Sequence, residues 1–294
     1  MCGIVGLHLR NPELHPRLGA LLTGMLCEMQ DRGADSAGVA VYGDRRWSPE
    51  GQWSVSLLEM KDDAVASRVS ARLGAPVAGQ WAGDTLVLTS PGQGLLDAVR
   101  EVAPDVLVAG FGHEVTVLKG VGHPRDLATA WGLESAQGWQ GVGHTRMATE
   151  SAVTPSGAHP YAVGPDQCLV HNGSFSNHAT IRRELRSEGV RFDSENDTEV
   201  GARFVAHQLA QGKDVETALK ELLTTFDGFY TLLVSNADSF AVVRDAIACK
   251  PAVIAETGDW VAMASEYRAL AHLPGVETAR IWEPEPEVIY AWTR

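Results

Sequence analysis

Met1-Cys2-Gly3-Ile4-Val5-Gly6-Leu7 opens the chain, and the place of its cysteine decides how the rest is read. Removal of one initiator methionine would leave a thiol and a free α-amino group on the same residue. A thiol ionises near ~8.5 and a peptide α-amine near ~7.7–8.0, so both lie within reach of their reactive forms at neutral pH. Such a residue can use its own amine as base, directly or through one water, whereas a mid-chain cysteine needs a separate histidine. The plainer reading is that Cys2 is a small buried residue of a first β-strand, since free cysteine is commonly buried and inert.

Working outward, Leu14, Leu18, Leu21, Leu22, Met25, Leu26 and Met29 recur at three- and four-residue steps. That is the stripe of an amphipathic helix lying on a sheet. A loop over 31–38 ends it, and 39–42 reads as the next strand. From about 53 to 139 the pattern changes to short strands, at 85–88 and 106–109, between helix-like pieces such as 63–73. This stretch holds no legible motif. Its repeat, Gly120-Val121-Gly122-His123 and Gly141-Val142-Gly143-His144, lacks the third glycine and following helix of a phosphate loop and is read as turn chemistry.

The second half carries more signal. A strand over 167–171 runs into Asn172-Gly173, and helices are expected over 177–188, 196–209 and 215–223. Strands follow at 229–235, 239–244, 252–255 and 260–264, then a short helix at 266–273 and a last strand at 288–291. Strands gather at both ends of the chain with helices between them, and no regular βαβ alternation appears. The fold class is therefore α+β, with two packed antiparallel-rich sheets covered by helices. No proline- or glycine-rich linker divides the chain, so 1–294 is read as a single domain with an unassigned insertion at about 53–139.

Composition excludes several functions. A formal charge of −13 argues against nucleic acid and anionic membrane as partners, both of which need a basic face. Cys2, Cys27, Cys168 and Cys249 form no CxxC pair, so neither a zinc site nor a disulfide framework is expected. No run approaches the ~18 apolar residues of a membrane helix, and Leu7-His8-Leu9-Arg10 ends the apolar start too early for a signal peptide. A cytoplasmic, reduced protein is the expectation.

Several motifs stand in a fixed order. They are Cys2-Gly3-Ile4-Val5-Gly6, Arg32-Gly33-Ala34-Asp35-Ser36-Ala37-Gly38, Gly143-His144-Thr145-Arg146, Ala158-His159-Pro160, His171-Asn172-Gly173, Asn196-Asp197-Thr198-Glu199-Val200, Val243-Arg244-Asp245 and Ala264-Ser265-Glu266. The chain thereby resembles the class II glutamine amidotransferases, which are N-terminal-nucleophile hydrolases with a four-layer αββα sandwich. The resemblance spans nearly the whole chain apart from about 53–139. It implies Cys2 as nucleophile, with the Asn172 side chain and the Gly173 backbone N–H as donors to the oxyanion that forms when an amide carbonyl is attacked. It implies Arg146 for the α-carboxylate of free glutamine, which its planar fork suits. It implies Asp197 for the α-ammonium and Thr149 as a further substrate contact. Read alone, Asn172-Gly173 would be a hairpin turn and Asp197 an ordinary helix N-cap, and Asp197 could be both. Ser265, Glu266, Arg244 and Asp245 look like framework behind the site.

Two positions depart from the family pattern. Met147 stands where many members have an aromatic residue, and Glu150-Ser151 where they have His-Gly. Glutamine and another γ-glutamyl amide, such as N5-methylglutamine, therefore both remain open as substrate; a structural subunit with negligible activity of its own is a separate alternative. Within the family the chain is similar to the stand-alone amidotransferase subunits of glutamate-synthase-like systems, N-methylglutamate synthase among them. That implies no cofactor in this chain, and FMN and an iron–sulfur cluster in a synthase partner that receives the ammonia.

Overall fold

In the computed structural model, residues 2–147 and 153–294 are described. Gly3–Leu9 (β1) is buried along its whole length, and its side chains divide by parity, as successive residues of a strand must. Val5, Leu7 and Leu9 pack with Leu22, Met25 and Leu26 of the helix Leu18–Glu28 (α1). Ile4, on the opposite face, packs with Val170, Leu233 and Phe240 of a second sheet. One short strand thus touches two layers.

The chain continues through β2 (Ser36–Tyr42), β3 (Trp53–Leu58), α2 (Val65–Leu73), β4 (Ala78–Ala82), β5 (Thr85–Ser90), α3 (Leu95–Val102), β6 (Leu107–Gly112), β7 (Val115–Val121), α4 (Pro124–Ala130) and β8 (Gln140–Arg146). The second half supplies β9 (Cys168–Phe175), α5 (His178–Ser187), α6 (Asp197–Ala210), α7 (Val215–Thr225), β10 (Gly228–Ser235), β11 (Ser239–Arg244), β12 (Val253–Glu256), β13 (Trp260–Ala264), β14 (Arg280–Trp282) and β15 (Tyr290–Thr293). Among the described residues these strands form three sheets, ordered β14-β12-β13-β1-β8-β2-β7, β15-β11-β10-β9 and β4-β5-β3-β6.

The first two sheets face each other across a shared apolar core that includes Tyr42, Val142, Phe240 and Met263. Helix α1 covers the outer face of the first. Helices α5, α6 and α7 cover the outer face of the second, through Ile181, Val205, Leu219 and Leu222 against Leu169, Leu232 and Val234. Helix, sheet, sheet and helix give the αββα sandwich. The third sheet lies outside it and buries Val55, Leu57, Leu86 and Leu88 against Val69 of α2 and Val99 of α3.

Several boundaries differ from the sequence expectations for identifiable reasons. The apolar stripe begins at Leu14, yet α1 starts only at Leu18, because Pro12–Arg17 is a 3-10 turn that contains Pro16. The glycine repeat is not turn chemistry in its second copy. Gly141 and Gly143 lie inside β8, where the lack of a side chain lets Leu22 and Val5 come close. The segment 266–273 holds only a 3-10 turn, Tyr267–Ala269, and the final strand runs over Tyr290–Thr293.

Candidate active site

Strand order brings the first motifs together. β8 lies between β1 and β2, with Gly3 opposite Thr145 and Ser36 opposite Arg146, so Cys2 and Arg146 end neighbouring strands at one end of the sheet. The loop before β2 presses on that end, and a Cβ at Gly33 would lie 2.5 Å from the Arg146 carbonyl carbon. Only glycine fits there without displacing backbone.

Cys2 is half-buried, with its Sγ 3.9 Å from the Met147 carbonyl oxygen. Its own carbonyl is held from two sides: Arg32 Nε donates to it at 2.9 Å and Asn172 Nδ2 at 3.1 Å. Arg32 is itself paired with Glu266 at 2.6 Å, and the Ile4 N–H donates to Ser265 Oγ at 2.9 Å. The framework expected of Ser265 and Glu266 thus fixes the backbone at and just after the thiol. Arg244 Nη1 and Asp245, by contrast, serve the second sheet and its loops, through the Pro284 carbonyl and the Tyr230 and Ile247 N–H groups.

β9 delivers Asn172 and Gly173 from the opposing sheet. Gly173 has φ +142°, and a Cβ on it would lie 2.0 Å from the Phe229 carbonyl oxygen across the β9–β10 ladder. A side chain cannot be accommodated there without displacing the backbone of β10.

Asp197 begins α6 but does not cap it. Asn196 is the cap, accepting from the Thr198 N–H at 2.9 Å, and so releases the Asp197 carboxylate. One Asp197 oxygen accepts from the Phe175 N–H at 2.9 Å and the other is 3.5 Å from Thr198 Oγ1. A buried Arg146 guanidinium approaches the loop around Gly157, where a Cβ would be 3.3 Å from its Nη1. Cys2, Arg146, Asn172, Gly173 and Asp197 line a single cleft of about 970 Å³, with Met147, Phe229 and Lys250 on its walls. Thr149 and Glu150 fall outside the described residues.

The cleft wall includes His159, His171 and Thr198, part of a layer for which the sequence suggested no role. His144, His159 and His171 are buried together. His144 stacks on His159 with ring centroids 4.0 Å apart, and its Nε2 donates to the His171 carbonyl at 3.1 Å. Thr198 Oγ1 lies 2.9 Å from both His159 Nε2 and His171 Nδ1. Burial drives all three rings to the neutral form, lowering the His144 pKa to about 3, the His171 pKa to about 4 and the His159 pKa well below its usual value. Lys119 of β7 is buried as well, donating to the Ala158 and Pro160 carbonyls at 3.0 and 3.2 Å. Burial lowers its pKa to about 8. The sequence signal for this layer was present: each histidine belongs to a quoted motif.

Among the described residues no three histidine, cysteine or acidic side chains are grouped to hold a metal ion, and no helix is long and apolar enough to cross a membrane.

Comparison with known proteins gives the same answer as the motifs. The family description "Glutamine amidotransferase domain" matches residues 144–272. A glutamine amidotransferase-like protein, GlxB of Rhizobium meliloti (strain 1021), is 48% identical over 99% of this chain and 98% of its own. Glutamine–fructose-6-phosphate aminotransferase of Xanthomonas campestris is 42% identical over 33% of this chain, which is 16% of that enzyme. Among solved structures, a glutamine phosphoribosylpyrophosphate amidotransferase from B. subtilis superposes with a TM-score of 0.64 at 19% identity, over 99% of this chain and 47% of that one. That likeness concerns the fold, and the relative at 48% identity extends it to descent. The chain belongs to the class II, N-terminal-nucleophile family of glutamine amidotransferases.

Proposed function

We propose that the protein hydrolyses the γ-amide of glutamine through a thioester on Cys2 and passes the ammonia to a partner subunit. The observation that carries this reading is the convergence of Cys2, Asn172, Gly173, Arg146 and Asp197 on one cleft. In the proposed reaction, Met1 having been removed, the Cys2 thiolate attacks the amide carbon. The thiol proton passes to the α-amine of Cys2. Charge developing on the carbonyl oxygen is met by the Asn172 amide and the Gly173 N–H. Collapse breaks the C–N bond, the Cys2 α-ammonium returns its proton to the leaving amide nitrogen, which departs as ammonia, and a γ-glutamyl thioester remains. Water, deprotonated by the same amine, then releases glutamate and the free thiol. Arg146 pairs with the substrate carboxylate and Asp197 with its ammonium.

The resemblance to stand-alone amidotransferase subunits supports a glutamate-synthase-like or N-methylglutamate synthase complex as the setting, in the cytoplasm. In that reading FMN and an iron–sulfur cluster belong to the synthase partner. A second substrate reading rests on Met147, an apolar side chain 44% exposed on the cleft wall. It would tolerate an N-methyl group, making N5-methylglutamine a candidate.

The test is to incubate the protein with glutamine and hydroxylamine. A thioester is intercepted as γ-glutamyl hydroxamate by the parent chain and not by Cys2→Ala, and intact mass shows Cys2 as the mature N-terminus. A chain that keeps Met1 and is fully active overturns the mechanism. Faster release of methylamine from N5-methylglutamine than of ammonia from glutamine selects the second substrate. A folded, processed chain that releases neither is the structural subunit.

A further inference from the structure

We propose that Thr198 is a positioning residue, whose hydroxyl collects the N–H groups of His159 and His171 and donates its own proton to Asp197, setting how that carboxylate meets the substrate's ammonium. The inference rests on the assignment of Asp197 made above.

Proton counting carries it. A neutral imidazole has one N–H and one bare nitrogen. His159 Nδ1 and His171 Nε2 are buried without a hydrogen-bond partner, while the other nitrogen of each ring lies 2.9 Å from Thr198 Oγ1. A buried N–H without an acceptor is costly, so both N–H groups point at the threonine oxygen. A hydroxyl accepts twice and donates once. With both lone pairs occupied, its proton has the Asp197 carboxylate oxygen, 3.5 Å away, as the remaining acceptor. The second Asp197 oxygen is held by the Phe175 N–H, so the carboxylate is fixed at both ends.

Sequence adjacency gives the arrangement its reach. Thr198 follows Asp197, His171 precedes Asn172, and His144 stands two residues before Arg146. The His144 Nε2–H holds the His171 carbonyl, and Lys119 grips the two carbonyls on either side of His159. One buried layer therefore spaces the ammonium partner from the strand that carries the oxyanion donors.

The experiment measures dissociation constants for glutamine and for glutaramate, which lacks the α-ammonium, in a Cys2→Ala background where nothing turns over. The preference for glutamine should fall about tenfold in Thr198→Val and be retained in Thr198→Ser, which keeps the hydroxyl. Asp197→Ala is the control. If Asp197→Ala removes the preference and folded Thr198→Val keeps it, the positioning role is wrong. If Asp197→Ala leaves the preference intact, the ammonium assignment itself fails, and the positioning role with it. Should Thr198→Val not fold, His159→Leu removes one of the two ring donors and is read by the same ratio: a preference below the parent's supports the role, and one equal to it overturns it.

Discussion

The αββα sandwich and the inserted sheet at 53–112, the part of the expected 53–139 insertion that stands outside the sandwich because β7 pairs with β2, are both well packed, yet they bury different chemistry. Buried polar residues of the sandwich include Arg32, Lys119, His144, Arg146, His159, His171, Arg182 and Glu199. Among the described residues of the insertion they are hydroxyls only: Ser54, Ser56, Thr85, Thr89 and Ser90. Two of these join the insertion to the sandwich, Ser54 donating to the Val115 carbonyl and Ser56 accepting from the Val117 N–H. Its charged residues stay outside, as in the exposed pair Arg72–Glu101. Burying ionisable groups is expensive and persists where a site uses them, and small hydroxyls suffice for a seam.

The contrast can be broken by mutation, beginning with the proposed oxyanion donor. Asn172→Ala should lower kcat by about 10²–10³ with little change in KM, because the donor acts in the transition state. A change confined to KM would remove it from that role. Arg146→Ala and Asp197→Ala should each lower kcat/KM by about thirty-fold or more, the loss expected when a desolvated charge is left unpaired. Hydrolysis at the parent kcat/KM by both variants would overturn the head-group assignment.

The buried histidines predict how stability responds to acid. Their folded pKa values lie below the unfolded value of about 6.5, so the unfolded chain binds protons first as pH falls. Stability should be level with respect to these groups above about 6.5. It should then drop towards pH 4 by about 1.4 kcal/mol per pH unit for each unmatched proton. Tm against pH checks this, and replacing His144 with Gln should flatten the slope; an unchanged slope would mean the ring is not the source. The smallest effect belongs to the insertion. Arg72→Ala removes an exposed ion pair and should cost less than about 1 kcal/mol, with kcat/KM untouched. A fall in turnover would make the insertion part of the site.

That Cys2, Arg146, Asn172 and Asp197 line one cleft agrees with the sequence reading, because each belongs to a short motif that the resemblance places at one site. The two-sheet layering was legible from the placement of strands and helices. What was not legible depended on contacts distant in sequence. Nothing local in Thr198 announces that His159 and His171 converge on it, and Arg32 gains its role only from its bond to the Cys2 carbonyl. Asp197 was open as an N-cap because the motif offers two adjacent capping residues, and backbone geometry chose Asn196. Strand β4 escaped notice because an edge strand that is mostly exposed shows no clean alternation of polar and apolar residues.

The inserted sheet enters and leaves the sandwich at one point. Tyr42 at the end of β2 is paired with Val115 at the start of β7, and the Gly43 N–H donates to the Glu114 carbonyl at 2.9 Å. In topological terms β2 and β7 are a hairpin whose turn has grown into a folded module. None of its strands belongs to the sandwich sheets. Such a module can be acquired, exchanged or trimmed by a lineage without rethreading the ancestral framework, and an engineer could graft another in its place.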